Sequence, residues 1–423
     1  MAEVIRAAEA HNCLAALAEG ECVSVYGLSN TGKSQLVREL PGVAARLLPF
    51  SGRPGVLAYI DCNRVVEDTT HGFFELIVRV LLESIDRDER GAVTVLRDQH
   101  QRITTAGSGF QASLAFNTAI AEACARLSQP VVFLIDEFDE IYNVLDERAL
   151  LNLRALKDKY REQLNFLTAT IRPLTDTVVR AENEFAELFS ARLVPMSRLA
   201  PADSLRLIES VANKRPDPEQ TNEILTLSGG HYGLLIALAQ AAGHGSNGIA
   251  QDANARAECL KIWNQLRPAE QAALRELAAD ATDTVGPAQR PQLEAFGLID
   301  DQGQIFSPLF KSFLLRQQGI REDALEGIVV DEDAGEVRVN GTKVEVLTDL
   351  EYRLMRLLFE RRNRLTTKDL IVEQVWGGQY LDKVDDARIE KLVSRLRAKI
   401  EPDPLNPRYV ITQRGRGYKL NSS

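Results

Sequence analysis

The sequence predicts an α/β chain: a parallel sheet covered by helices, then helical segments closed by antiparallel hairpins. Three observations predict it. Strand-length apolar runs alternate with helically spaced apolar residues as far as Ile171. A glycine-rich turn joins the first run to the helix after it. Beyond residue 320 the pattern changes to short alternating strands, capped helices and a basic, glycine-rich hairpin.

Composition sets the frame for these elements. With 423 residues, two to four domains are expected at roughly 100–200 residues each. Apolar residues at 45% and charged residues at 26% exclude disorder and collagen-like repeats. No apolar run approaches the roughly 20 residues of a spanning helix, so no membrane partner is expected. The start, MAEVIRAAEAHN, has acids in place of a basic leader, which predicts no signal peptide and a cytoplasmic location. Cys13, Cys22, Cys62, Cys124 and Cys259 are scattered without a C-x-x-C pair and read as reduced thiols. Net charge is −10, yet Lys391 to Lys419 holds eight bases against two acids, or +6. An acidic chain with a basic end calls for a partner at that end.

Val4, Ile5, Ala8, Leu14 and Leu17 carry helical spacing, and Gly20 ends that helix. Cys22 to Tyr26 is a short strand, followed by Gly27-Leu-Ser-Asn-Thr-Gly32-Lys33-Ser34 and a helix over 35–48, with a break expected at Pro41-Gly42. Val56 to Ile60 is a second strand, Phe73 to Ser84 and Ala112 to Leu127 are helices, and Val131 to Ile135 is a fully apolar central strand. Asn165 to Ile171 is a further strand.

Gly27 to Ser34 fits G-x-x-x-x-G-K-S/T and lies between a strand and a helix. The glycines permit a tight loop whose backbone N–H groups face phosphates, and the next helix points its positive end at them. ATP contacts are therefore assigned to Gly27, Ser29, Asn30, Thr31, Gly32, Lys33, Ser34 and Gln35. Lys33 reaches the β- and γ-phosphates, a catalytic role, and Ser34 ligates Mg²⁺. Asp136 and Glu137 follow the central strand, where ligands bind in open α/β sheets. Asp136 would hold Mg²⁺, and Glu137 would act as general base toward the attacking water. Asp139 and Glu140 read as solvated helix-start residues. The strand end Thr168, Thr170, Arg172 could sense the γ-phosphate, chiefly through Arg172; the alternative is a surface arginine before Pro173. Arg180 and Arg192 are arginine-finger candidates without geometry.

These residues, with Leu227-Ser-Gly-Gly-His-Tyr-Gly-Leu234, resemble the AAA+-related STAND class of regulatory ATPases. The resemblance implies a P-loop NTPase core over 1–175 and a helical lid over 176–250, with His231 touching the nucleotide. Tyr232 stands where that class usually has proline. The same glycines also read as a tight entry to a helix. Helical spacing over Ala202–Asn213 and Glu219–Ala242 suits the lid, and Gly243 to Gly248 is a boundary.

Residues 251–320 read as a connector of three short helices, Cys259–Leu266, Ala269–Ala278 and Pro291–Phe296. A hairpin over Gly297–Phe306 completes a winged-helix pattern, with Trp263 and Phe310 in its core. Its bases are sparse, so transmission or protein contact is expected there rather than DNA contact.

In residues 321–423, Gly327 to Asp331, Glu336 to Asn340 and Thr342 to Leu347 are strands, with Asn340-Gly341 as a turn. Thr348-Asp-Leu-Glu351 is a capping box for a helix to Glu360. Thr366 or Thr367 caps a second helix toward Trp376, and Asp385 caps a third. At 100° per residue from Ile389, the residues Leu392, Val393, Leu396 and Ile400 fall within about 60° and form a core stripe. Lys391, Arg395, Arg388 and Lys399 fall at about 200° to 280°, one basic face suited to a major groove. Arg397, at about 80°, reads as an ion-pair partner of Glu390 or Glu401. Arg414 and Arg416 at the hairpin tip could enter a minor groove.

Leu347-Thr-x-x-Glu351, Leu370 through Trp376, Val393-Ser-Arg-Leu-Arg397 and Thr412-Gln-Arg-Gly-Arg-Gly-Tyr418 closely resemble the OmpR/PhoB-type winged-helix DNA-binding domain. The resemblance implies Lys391 and Arg395 near bases, and Thr412 and Arg414 at phosphates or the minor groove, of double-stranded DNA. That family usually carries a receiver domain in front, where this chain carries an ATPase. The expected function is an ATP-controlled DNA-binding transcriptional regulator, a slow ATPase whose nucleotide state sets DNA affinity or homo-oligomer assembly. Without sensor repeats in the sequence, the signal would come from a separate signalling protein or from nucleotide itself. The alternatives are a DNA-targeted ATPase of a mobile element or antiviral defence system, and a non-enzymatic scaffold holding nucleotide.

Overall fold

The structure, a computed structural model, describes residues 4–47, 55–86, 88–176, 184–212, 216–243, 248–279, 285–317, 328–331, 336–339, 342–344, 347–377, 384–404, 406–413 and 415–421. Arg180, Arg414, the Asn340-Gly341 turn and most of the 243–248 boundary lie outside them. The chain divides into two units, Met1–Gly243 with Pro291–Gln302, and His244–Arg290 with Gly303–Ser423.

The first unit is built on five parallel strands, β1 (Val23–Tyr26), β2 (Val56–Asp61), β3 (Val131–Asp136), β4 (Leu164–Thr170) and β5 (Leu193–Pro195), in the order β2-β3-β4-β1-β5. β4 therefore runs between β1 and β3. Its carboxyl end lies between the glycine-rich turn after β1 and the acid pair after β3, at the edge where such sheets bind ligands.

The sheet is buried on both faces, which is why β3 runs apolar from Val131 to Ile135 without alternation, and why every residue of β4 is buried, the polar Asn165, Thr168 and Thr170 included. One face packs on α1 (Ala7–Ala18) and α2 (Lys33–Leu47) through Leu14, Leu17, Val37 and Leu40. The other packs on α3 (Thr70–Ser84), α4 (Arg90–Thr104), α5 (Gly109–Arg126), α6 (Phe138–Val144), α7 (Glu147–Lys159) and α8 (Glu184–Glu187). There Phe74 stacks on Phe116 with centroids 4.0 Å apart. Side-chain caps start these helices where the chain needs them: Thr69 for α3, Ser108 for α5 and Asp146 for α7. The stretch expected as a helical lid holds α9 (Pro201–Val211), α10 (Pro218–Ser228) and α11 (Tyr232–Gly243).

The connector holds α12 (Ala253–Asn264), α13 (Pro268–Ala278), α14 (Arg290–Ala295) and α15 (Pro308–Gln317). Trp263 and Phe310 are fully buried, as expected. Residues 291–302 group with the first unit, while the helices on either side group with the second. The second unit continues with antiparallel β6 (Ile328–Asp331), β7 (Glu336–Val339) and β8 (Thr342–Lys343), then α16 (Asp349–Glu360). α17 (Lys368–Ile371) runs into a π-helical turn over Val372–Trp376. α18 (Asp386–Ile400) and the hairpin β9 (Val410–Gln413) and β10 (Gly417–Leu420) complete a winged helix. The Thr348 capping box and the Thr367 and Asp385 caps form as the sequence predicts.

Besides α7, α8, β5 and α15, which the sequence analysis does not assign, four elements differ from expectation. α4 was not legible, because its apolar stripe is only Ala92, Leu96 and Ile103 among polar neighbours. α2 passes through Pro41 without ending, since buried Val37 and Leu40 hold it against the sheet. The helix expected over 219–242 is two, broken where Gly229 and Gly230 take φ of 56° and 80°. No strand forms over 297–306, where Ile299 and Ile305 make single bridges only. Among the described residues no helix is long and apolar enough to cross a membrane.

Candidate functional site

The loop after β1 is tied to β4 and closed by one of its own side chains. The Gly27 N–H donates to Thr170 O at 3.1 Å, and the Thr31 hydroxyl donates to Leu28 O at 2.8 Å. A side chain at Gly27 would lie 2.9 Å from Met196 O, and Gly32 needs φ of +89°. Ser29 and Asn30 form the more open part of the loop, with Asn30 at φ 58°. Lys33 is only 6% exposed and donates to Gly27 O and Leu28 O at 2.7 and 2.8 Å.

The Ser34 hydroxyl lies 3.2 Å from both Asp136 Oδ1 and Glu137 Oε1. Asp136 is 1% exposed. Burial and then the adjacent Glu137 charge push its pKa up to about 6, against hydrogen bonds from Tyr59 and Ser34 and the Lys33 charge. Glu137 has φ of 53°, a left-handed backbone that costs of order 1 kcal/mol or more in a non-glycine residue and recurs at functional sites. The hydroxyl of Ser34 and the carboxylate of Asp136 are hard oxygen donors, a set that suits Mg²⁺ completed by phosphate and water. Among the described residues no group of three or more His, Cys, Asp or Glu could hold a metal alone.

Asp139 is not the solvated helix-start residue expected. Both its carboxylate oxygens accept from the Ile171 N–H, at 3.0 and 3.1 Å, and burial pushes its pKa up to about 6. With Thr170 Oγ1 donating to Arg172 O at 2.7 Å, the end of β4 is pinned twice. Arg172 extends over the Phe296 ring at 5.0 Å and lies 3.8 Å from Asp176. His231 is 3% exposed, and its Nδ1 accepts from the Leu234 N–H, so it caps α11. Tyr232 lies against Gly32 and hydrogen-bonds Gln35. Arg192 is a surface residue paired with Glu21 and, at 3.6 Å, with Glu19.

Arg6 was missed. It precedes α1, is buried, and donates to Thr31 O at 3.2 Å, to Ser197 O and to Glu9 at 2.8 Å. The legible signal was an arginine at a helix N-terminus, where the dipole disfavours a cation. Arg6 meets a crowded stretch, Met196 to Leu199. Gly27 presses on Met196 O, Gly230 would place a methyl 3.0 Å from Leu199 O, and Gly297 one 2.9 Å from Arg198 N.

In the second unit the stripe Ile389, Leu392, Val393, Leu396 and Ile400 is buried. Arg388 is exposed, and Lys391 and Arg395 are half-exposed. Lys399 turns to Glu351, 2.7 Å away. Arg397 does not pair as expected: it donates to Val410 O at 2.6 Å and to Thr412 Oγ1 at 2.7 Å, while Glu390 pairs with Lys368. Glu401 instead accepts from the N–H groups of Arg408, Tyr409 and Val410. Burial lowers the Arg397 pKa. Arg416 is exposed at the hairpin tip. All five cysteines are buried and unpaired, and burial pushes Cys13 and Cys124 up to about 12.

Two family descriptions match this chain: AAA ATPase domain over residues 4–172, and transcriptional regulatory protein, C terminal, over residues 341–420. The DNA-binding response regulator MtrA of Mycobacterium tuberculosis is 40% identical over 96 residues, 23% of this chain and 41% of the relative. The uncharacterized transcriptional regulatory protein YrkP of Bacillus subtilis is 37% identical over 94 residues, 22% of this chain and 40% of the relative. The chain thus spans about two fifths of the length of these relatives. Among solved structures, a Walker-type ATPase of Pyrococcus abyssi is 16% identical, covering 75% of this chain and 96% of that one with a TM-score of 0.45. The RstA DNA-binding domain of Klebsiella pneumoniae in complex with the RstA box is 21% identical, covering 24% and 97% with a TM-score of 0.22. This chain therefore joins an N-terminal AAA ATPase domain to a C-terminal OmpR/PhoB-type DNA-binding domain of transcriptional regulators.

Proposed function

We propose that the chain is an ATP-controlled DNA-binding regulator, in which nucleotide state sets the DNA affinity or assembly of the C-terminal winged helix. The observation that carries it is the division of the connector. Residues 291–302 belong to the unit of the phosphate loop, and the helices on either side belong to the unit of the DNA reader. A rearrangement around the loop then pulls directly on the chain that leads to the reader. Arg172 supports this, because the strand end expected to sense the γ-phosphate carries a side chain resting on Phe296.

In this reading Lys33 and the loop N–H groups bind the phosphates of ATP, and Ser34 and Asp136 hold Mg²⁺. The cation neutralises charge on the phosphates. Glu137 orients and deprotonates the attacking water. On the reader, Arg388, Lys391, Arg395 and Arg416 contact double-stranded DNA. A ligand shifts such an equilibrium only by its different affinity for the two states, so ATP and ADP must differ in effect.

The test is duplex binding by the purified chain at one fixed salt concentration, with ATP, ADP or neither, on a pool of random duplexes. A difference between nucleotides that Lys33→Ala removes supports the switch. Equal binding in all states sinks it.

A further inference from the structure

We propose that Tyr59 is a positioning residue of the cation site: held by Arg38, it fixes Asp136 so that one chosen carboxylate oxygen faces the metal. The proposal rests on the nucleotide reading above and deepens it.

The placement follows from register. β2 and β3 pair in parallel with Tyr59 beside Leu134 and Asp61 beside Asp136. Side chains alternate along a strand, so Tyr59 shares a face with Leu134 and with Asp136 two residues on. That face is the one covered by α2. The phenol reaches diagonally, and its hydroxyl donates to Asp136 Oδ2 at 2.7 Å.

The two oxygens of Asp136 are thereby given different work. Oδ1 accepts from the Ser34 hydroxyl at 3.2 Å and from the Glu137 N–H at 3.0 Å, so it lies on the side of the other cation ligand. Oδ2 is turned away and anchored by Tyr59. A carboxylate anchored at one oxygen can still rotate; anchors on both fix its plane. Asp136 is too deeply buried for solvent to take over if the phenol is removed.

The phenol's own proton is directed as well. Arg38 donates to the Tyr59 oxygen at 3.2 Å, and its guanidinium lies 5.4 Å from the ring centroid. Arginine can only donate, so the tyrosine hydrogen is left for Asp136. Arg38 stands on α2, the helix that Lys33 and Ser34 open. The chain Arg38 to Tyr59 to Asp136 therefore fixes the distance between the two halves of the cation site, one on α2 and one on β3.

Groups that orient a metal ligand from behind change metal affinity about 10–100-fold when removed. The experiment is binding of a fluorescent ATP analogue to the full chain, first in EDTA and then titrated with Mg²⁺. Tyr59→Phe keeps the ring and loses the hydroxyl. It is expected to raise the half-maximal Mg²⁺ concentration about tenfold, with binding in EDTA unchanged. Arg38→Gln, at an exposed position, is expected to shift it in the same direction by about threefold, and Arg38→Lys to recover part of the loss. A Tyr59→Phe protein with unchanged Mg²⁺ dependence overturns the proposal. So does equal weakening in EDTA and Mg²⁺, which marks a packing role. Should Tyr59→Phe fail to fold, an Arg38→Gln protein without a Mg²⁺ shift overturns it. A wild-type chain that binds no ATP in either condition overturns the nucleotide reading, and the proposal with it.

Discussion

The glycine-rich loop after β1 and helix α18 both concentrate charge, but they treat it in opposite ways. Around the loop, Lys33, Asp136 and Arg6 are buried: Lys33 and Arg6 donate to backbone carbonyls, and Asp136 accepts from the Ser34 and Tyr59 hydroxyls. Along α18 the charge is sorted: Arg388 stays exposed, while Lys399 and Arg397 are spent on α16 and the wing. A motif with fixed spacing thus predicts its own geometry. A basic face does not, because some of its charges are needed to hold neighbouring elements in place.

The largest expected effect tests whether the two regions are separable. Gly417 has φ of +132°, and a methyl there would lie 2.1 Å from Thr366 O. Gly417→Ala should lose about 3 kcal/mol of stability in the reader, read by urea unfolding, with ATP binding kept. Loss of both would join the regions into one cooperative body.

Next, Lys33→Ala should weaken ATP binding about 100-fold, roughly 2.7 kcal/mol. Calorimetry checks it, and nucleotide-free DNA binding should be unchanged. An altered nucleotide-free affinity would mean that the loop acts on the reader without ligand.

A smaller effect concerns pH. Asp139 has its folded pKa raised to about 6 from 3.8, so the folded state binds its proton more tightly than the unfolded state. Its contribution is present in full below about pH 4 and is lost as pH rises through about 6. Asp139→Asn should therefore lose about 1 kcal/mol less stability than wild type between pH 5 and pH 7. Equal losses would show that the Ile171 bond compensates its burial.

The smallest effect sharpens the sorting on α18. Lys391→Ala or Arg395→Ala should each reduce the salt slope of DNA binding by about 1. Lys399→Ala should leave that slope alone and lower stability by about 1 kcal/mol, because the buried Glu351 loses its cation and keeps the Thr348 N–H. A slope change for Lys399→Ala would return that residue to the reading face.

Much of the fold was legible because local signals agreed with it. The phosphate loop, the apolar β3 with Asp136 and Glu137, the Thr348 capping box and the stripe of α18 depend on residues near in sequence. What was missed depends on distant partners. Asp139 meets Ile171 only because β4 runs beside β3. Tyr59 meets Asp136 only through strand register, and Arg6 meets Thr31 only once α1 packs on the sheet. Arg397 could be assigned a partner from a helical wheel, but the wing, ten or more residues on, offers it the better acceptors.

The stretch Met196 to Leu199 has a spectroscopic consequence. Its two inward amides are tied to different parts of the first unit: Met196 N–H to Tyr26 O at 2.7 Å, at the foot of the loop, and Leu199 N–H to Gly230 O at 2.8 Å, at the lid. Each proton can leave for solvent only when its own tie opens. Deuterium uptake at these two neighbouring amides would therefore time loop opening and lid opening separately, from a single peptide fragment.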